Sequence, residues 1–470
     1  MRSVNFFPIF LSIIGILLFA SSYLVVPGYG IYIGISGYLT IILAYIITKH
    51  SQNNKIDVLE PIYIVLGLYT VYTWTPLCLE VGQDYSQYAN VLLKYQTAIL
   101  LGLIGLIAGY HYGSKTKEPL ILMLTNKKLK FPMGSFKVLL LSICILFCLL
   151  NYQKLLDMLN LQSMVAYSEG AASSRLDRPV TQGLLDYSFG LTITFLVYLL
   201  LINSFIYRKF NILSFSAVFA YALITIMAGS RGIFFTFIFI LLLYWNYCVR
   251  KIKVVPFVML MSVMCMGGVI FGHARTTTNI TEMFSRGLDL VKENSIFLSP
   301  TSSGEFANPS KTLLDIMSAF EDNSLNLSYG RTYFTDLAIV IPKVLYPERP
   351  NPQSLKYMEI FYPSLFAEGR SYAIFLTTEG YWAWGYPGAF LAMFAYGILI
   401  ALLYRFFKSN MHNGAVILLY ALCYYDFYIS FMRTGFIGGI KGILMDTLPF
   451  LVLMFLSKSL GKEEQTNATY

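Results

Sequence analysis

Twelve apolar windows of roughly 20 residues, the length that crosses a bilayer, run along this chain with polar breaks between them. They centre on 6–26, 29–48, 60–79, 95–113, 136–153, 183–206, 211–228, 232–248, 254–273, 382–404, 413–431 and 438–457. Each predicts a membrane helix. The first window, with Arg2 before it and small residues near Ala20, has the outline of a cleaved signal peptide. It is long, however, and a second window follows just beyond Pro27-Gly28, so it reads as an uncleaved first span.

The polar breaks alternate in basicity. Lys49 and Lys55; Lys115, Lys117, Lys127, Lys128 and Lys130; Arg208 and Lys209; Arg250, Lys251 and Lys253; Arg405 and Lys408; and Lys458 and Lys462 fall on one side at every second crossing. The positive-inside rule assigns that side, and both termini, to the cytoplasm. The opposite face then receives a segment of about a hundred residues, 274–381. Its stretches LLDIMSAF, LAIVIPKVLYP and IFYPSLFA are apolar enough to form short amphipathic helices over an outward-facing cavity. The expected organisation is a bundle of nine spans (1–273), an extracytoplasmic segment (274–381), three last spans (382–457) and a cytoplasmic tail (458–470).

Composition agrees with this picture. Apolar residues make up 56% of the 470 positions and charged residues 13%, with a mean hydropathy of +0.61, against about 25% charged in an ordinary globular chain. The net charge of +9 does not point to nucleic acid, because the lysines flank spans, where they set topology and meet anionic headgroups. The six cysteines lie in or beside apolar spans without metal-type spacing and read as small hydrophobes. No metal site is expected.

Arginine has a different distribution from lysine. Nine of the thirteen, among them Arg231, Arg331, Arg349, Arg370 and Arg433, fall on the outer face in this topology. A guanidinium offers a planar fork suited to phosphate, where lysine offers a point charge. The outer face thus suits an anionic ligand, with salt bridges to acids such as Asp336 as the other use of these arginines. Arg231 stands in Gly229-Ser230-Arg231-Gly232 between two spans, where an ionisable group is costly and faces a cavity or a partner. Asp426 and Asp446, inside spans, are expected to pair with Lys441 or Arg433. No Walker loop, dinucleotide-binding glycine pattern, HExxH or zinc spacing occurs, and no cofactor is expected.

Four patches carry a family resemblance: AGSRGIFFTFIFILL (228–242), YGRTYFTDLAIVIPKVLYPERPNP (329–352), GRSYAIFLTTEGYWAWGYPGAFLAMF (369–394) and FMRTGF (431–436). In order and spacing the chain resembles the O-antigen polymerase family, the Wzy-type oligosaccharide repeat-unit polymerases. That resemblance implies a GT-C-like helical membrane protein of the bacterial inner membrane. Its implied reaction moves a growing glycan from undecaprenyl pyrophosphate onto the next lipid-linked repeat unit, with a separate chain-length regulator protein as partner. Arg231, Arg331 and Arg433, and further Arg370 and Arg349, are then expected on the pyrophosphate; Arg349, between two prolines, is equally suited to hold a turn. Glu379 is the first candidate for the base that deprotonates the acceptor hydroxyl, with His273 and Asp336 behind it. A carboxylate at a helix start also suits the helix dipole, and Asp336 also suits an ion pair with Arg331. Tyr333, Tyr372 and Trp382 are candidate sugar-stacking residues. A ligase using the same donor and a flippase for the lipid-linked unit are the competing readings.

Overall fold

The chain is described here by a computed structural model that covers residues 6–22, 27–53, 57–80, 91–116, 132–158, 180–227, 231–261, 308–341, 345–346, 348–367 and 372–460. It is helical, with no strand among the described residues. In chain order the helices are α1 (Phe6–Ser21), α2 (Pro27–Asn53), α3 (Pro61–Glu80), α4 (Leu92–Lys115), α5 (Met133–Leu150), α6 (Tyr152–Met158), α7 (Val180–Tyr207), α8 (Ile212–Met227) and α9 (Arg231–Tyr244). Then follow α10 (Asn308–Glu321), α11 (Arg331–Leu337), α12 (Gln353–Phe361), α13 (Pro363–Ala367), α14 (Leu376–Asn410), α15 (Gly414–Tyr425) and α16 (Phe436–Leu460). Among the described residues, eight helices are long and apolar enough to cross a membrane. Three shorter apolar helices occupy the windows at 6–26, 60–79 and 211–228, and most of the window at 254–273 lies outside the described residues. The chain is therefore a polytopic helical membrane protein.

The most extensive helix pair is α4 with α14, and its cause is a row of small residues. Gly102, Gly105, Gly109 and Gly113 recur at three- and four-residue spacing and so share one face of α4. A Cβ on Gly105 or Gly109 would collide with the carbonyl of Phe390 or Phe394, and one on Gly397 would lie 2.5 Å from Leu106 O. Where lipid removes the hydrophobic drive between helices, such close backbone approach supplies the attraction. The matched pairs advance together along both helices, so α4 and α14 run parallel, over about 36 Å for the 24 residues of α4.

One end of this pair collects the basic breaks. Asp57, between α2 and α3, accepts hydrogen bonds from Asn246 Nδ2 (3.1 Å), Tyr247 OH (2.9 Å), Tyr404 OH (2.9 Å) and Lys408 Nζ (3.0 Å). Asn246 and Tyr247 belong to a π-helical turn, Trp245–Val249, that extends α9. Glu60 binds Lys49 and Tyr110, and Arg405 donates to the carbonyls of Gly113 and Thr116. We call this the lysine end. At the opposite end Lys94 and Glu321 pair, tying the first turn of α4 to α10.

The span expected at 382–404 is longer and is not straight. α14 starts at Leu376 and breaks at Trp384 and Gly385, where Gly385 takes φ +64°, ψ −142°, a region open to glycine alone. Eight residues along a straight helix lie about 12 Å apart, yet a Cβ on Gly380 would meet the carbonyl of Gly388. Residues 376–383 therefore fold back against 386–410, with Trp384-Gly385 as the tip. Ile374, Phe375 and Leu376 lead into the fold-back and are buried. Non-helical backbone inside a bundle is tolerated when protein covers it, and Ile374 bridges Thr434 in parallel.

The knot at the lysine end makes a prediction. Burial alone would raise the Asp57 carboxyl, but the ammonium groups of Lys408 and Lys251 bring it below its ordinary 3.8. The folded state thus binds this proton less tightly than the unfolded one, so the stabilisation is complete above 3.8 and fades as pH falls through the lower folded value. Asp57→Ala is expected to cost about 3 kcal/mol at neutral pH, toward the lower limit for a broken buried pair because Lys408 and Lys251 are partly exposed. Melting of the purified protein in detergent checks it: the deficit should be clear at pH 7 and shrink in acid, and equal melting at pH 7 would contradict it.

Candidate functional site

The fold-back places Glu379 at the head of another helix. Its carboxylate is 1% exposed, and Oε2 accepts the backbone N–H of Phe436, the first residue of α16, at 2.6 Å. Gly435, at φ +77° and ψ 167°, lies against the carboxylate; a Cβ there would be 3.1 Å from Oε2. The sequence suggested that Glu379 answers the dipole of its own helix. In the folded chain it does lie in the first turn of α14, and it caps α16 as well. The other oxygen, Oε1, is buried with no hydrogen-bond partner among the described residues.

Asp336 is placed in a similar way. It sits on the short helix α11, 6% exposed, with the backbone N–H of Gln353, the first residue of α12, near enough to favour its charged form. Its Oδ1, like both polar side-chain atoms of Gln353, is buried without a partner among the described residues. Burial raises the Asp336 carboxyl to about 6, moderated by Lys356 and by the Gln353 N–H. It makes no ion pair with Arg331 among the described residues, contrary to the alternative raised by the sequence. The two carboxylates and the Tyr333 hydroxyl are close enough to interact electrostatically. Glu379 therefore spends one oxygen on a helix N-terminus, and each acid keeps one buried oxygen without a described partner.

Around this pair the sequence candidates separate. Arg433 lies in the segment Phe431–Thr434, two residues before Gly435, with its guanidinium 5.9 Å from the Tyr72 ring centre. Arg331 opens α11 and is exposed. Tyr333 stacks on Trp384, ring centres 5.4 Å apart and planes 16° from parallel. These residues share the end of the bundle opposite the lysine knot.

Two candidates and one expected pairing are corrected, and Arg349 falls to one of its two readings. Arg349 donates from Nη1 to the carbonyls of Ile339 (3.0 Å) and Ile341 (2.8 Å), so it holds a turn. Trp382 is 5% exposed, and its carbonyl accepts the Ser328 N–H; the tryptophan with an open face is Trp384, at 42%. Tyr372 packs edge-on against Tyr362, beside the Asp315 carboxylate that binds Tyr357 and Tyr362. Asp426 and Asp446 do not pair with Lys441 or Arg433. They line a cavity of about 370 Å³ among α7, α8, α9, α15 and α16, and Asp426 opens a π-helical turn. His273, Arg370 and the side chain of Arg231 lie outside the described residues.

Sequence reasoning missed Gln353, and of the two tryptophans beside Glu379 it put forward Trp382 rather than Trp384. Gln353 had a signal, since Pro350-Asn351-Pro352 announces a helix start whose first N–H needs an acceptor. Trp384 had none, because two tryptophans two residues apart differ only in what covers them. Compared with models of protein families, with curated proteins and with solved structures, the chain matches none.

The raised Asp336 carboxyl has a measurable consequence. Between its ordinary 3.8 and about 6 the folded state holds a proton that the unfolded state releases, so this group costs stability as pH rises through that window. Asp336→Asn, which removes the charge with little change of shape, should raise the melting temperature at pH 7.5, relieving about 3 kcal/mol at most. At pH 4 the variant and the parent should coincide. A variant that melts lower at pH 7.5 would show the carboxylate to be stabilising.

Proposed function

We propose that the chain is a repeat-unit polymerase: a glycosyltransferase that joins lipid-pyrophosphate-linked oligosaccharides at the outer face of a bacterial inner membrane. The observation that carries this reading is the buried pair Glu379 and Asp336, each with an uncommitted oxygen, beside arginines at the end of the bundle remote from the lysine knot. We orient the lysine end to the cytoplasm by the positive-inside rule. The carboxylates then lie toward the outer headgroups, where a lipid-linked diphosphate presents its sugar.

In this mechanism the acceptor hydroxyl attacks the anomeric carbon of the donor glycan. The new C–O bond forms as the bond to pyrophosphate breaks, and the hydroxyl proton passes to Glu379 or Asp336. Undecaprenyl pyrophosphate leaves with the bonding pair, and Arg433, Arg331 and Arg231 stabilise its charge. Tyr333 and the open face of Trp384 offer a stacking surface for a sugar ring. The donor's own bond between its anomeric carbon and pyrophosphate supplies the driving force, so no nucleotide is needed. A chain-length regulator is the expected protein partner.

Surface glycan on a deletion strain distinguishes the readings. Loss of a polymerase leaves single repeat units on the acceptor. Loss of a ligase leaves long lipid-linked polymer, and loss of a flippase exports nothing. Within the polymerase reading, Glu379→Gln separates two roles, because the amide oxygen still caps Phe436 but no longer takes a proton. Glu379→Gln and Arg433→Ala are each expected to cut polymer at least a hundredfold, the usual loss for a positioned acid–base or charge-stabilising group, with the protein still in the membrane. Full-length glycan in Glu379→Gln would leave that residue a helix cap only, and full-length glycan in Arg433→Ala would remove it from the pyrophosphate.

A further inference from the structure

A cavity of about 660 Å³ opens between α1, α2 and α4 at the lysine end, remote from the carboxylate pair. Its two long walls are helical stripes with the same polarity. On α4, Ile104, Ile107 and Ala108 lead to His111, Ser114 and Lys115; on α2, Ile41 and Tyr45 lead to Thr48 and Lys49. Both stripes run from apolar to basic toward the lysine end. From Ile104 to Lys115 is about 16 Å along the helix, the reach of a medium acyl chain.

The head of this groove is built rather than incidental. Lys49 lies over the rings of Tyr45, Tyr63 and Tyr110, at 6.0, 5.3 and 4.5 Å, and is held there by Glu60, which also binds Tyr110. A second cavity of about 400 Å³ shares Glu60, Tyr110 and Ser114 with the first and adds Arg405 and Lys408. Asp57 and Glu60 are committed to their own partners. Lys115 is exposed and has no partner among the described residues, and Ile104 is 41% exposed along the apolar stretch. Four cations against two carboxylates leave the head of the groove positive, and an apolar slot continues from it into the depth of the membrane.

We propose that this groove binds one anionic phospholipid, its acyl chain along Ile41, Ile104 and Ala108 and its phosphate at Lys115. A zwitterionic lipid fits less well, because its ammonium would meet the same cations. Free phosphate could use the head but not the slot. The site is independent of the glycosyl-transfer reading, since it lies at the other end of α4.

The test uses the full chain reconstituted in vesicles of equal parts phosphatidylcholine and phosphatidylglycerol, then extracted in mild detergent for intact-protein mass spectrometry. The parent should retain one phosphatidylglycerol in preference to phosphatidylcholine. Lys115→Gln, an exposed change that leaves the fold intact, should weaken retention about fivefold, the effect of one basic residue near an anionic lipid. Ala108→Trp, which fills the slot, should abolish it; if that variant does not fold, Lys115→Gln decides alone. Equal retention of the two lipids overturns the proposal. So does unchanged retention in Lys115→Gln, or in a folded Ala108→Trp. Displacement of the lipid by inorganic phosphate alone would make this an anion site without a slot, and overturns it too.

Discussion

The hydrogen bond from Phe436 N–H to Glu379 Oε2 organises the whole end of the bundle that carries the candidate site. A helix begins with N–H groups that have no partner of their own, and inside an apolar bundle no water can serve them. The chain resolves this by folding 376–383 back against 386–410 and presenting a carboxylate to the start of α16. The bridge between Ile374 and Thr434 runs beside it, and Arg433 is thereby held within three residues of the capped N–H. The tip of the fold-back carries Trp384, on which Tyr333 of α11 stacks. One buried acid thus joins α14, the end of α15 and α16, with α11 stacked on the same fold-back.

The two ends of the bundle use carboxylates differently. At the lysine end Asp57 and Glu60 are engaged by amines, phenols and an amide, and these bonds tie α2, α3, α4, α9 and α14 together. At the other end Glu379 and Asp336 each keep an oxygen without a described partner. Burying such an atom costs about 1–3 kcal/mol, which a purely structural acid would avoid. The glycine seam of α4 keeps the two ends separate, because parallel backbones in such close contact leave little freedom to slide.

Much of this was legible in the chain itself, and the rest was hidden for identifiable reasons. The helices were visible because hydropathy is a local property, and Glu379, Asp336 and Arg433 stood out as polar groups beside apolar runs. Arg349 looked equally suited to phosphate or a turn, and the choice rests on two carbonyls that fold up beside it. Trp382 and Trp384 were indistinguishable until one was covered. Asp57 was an ordinary loop acid until four side chains converged on it.

What the sequence by itself determined is therefore a helical membrane protein with basic residues concentrated at alternate breaks, since span length and charge alternation need no knowledge of neighbours. The tertiary structure alone decided which acid caps which helix, which oxygen is left over, and where α14 turns back. Those outcomes depend on contacts such as Gly380 with Gly388 and Glu379 with Phe436, the second between residues far apart in the chain. No local pattern encodes them, because a buried hydrogen bond is specified by both of its partners at once.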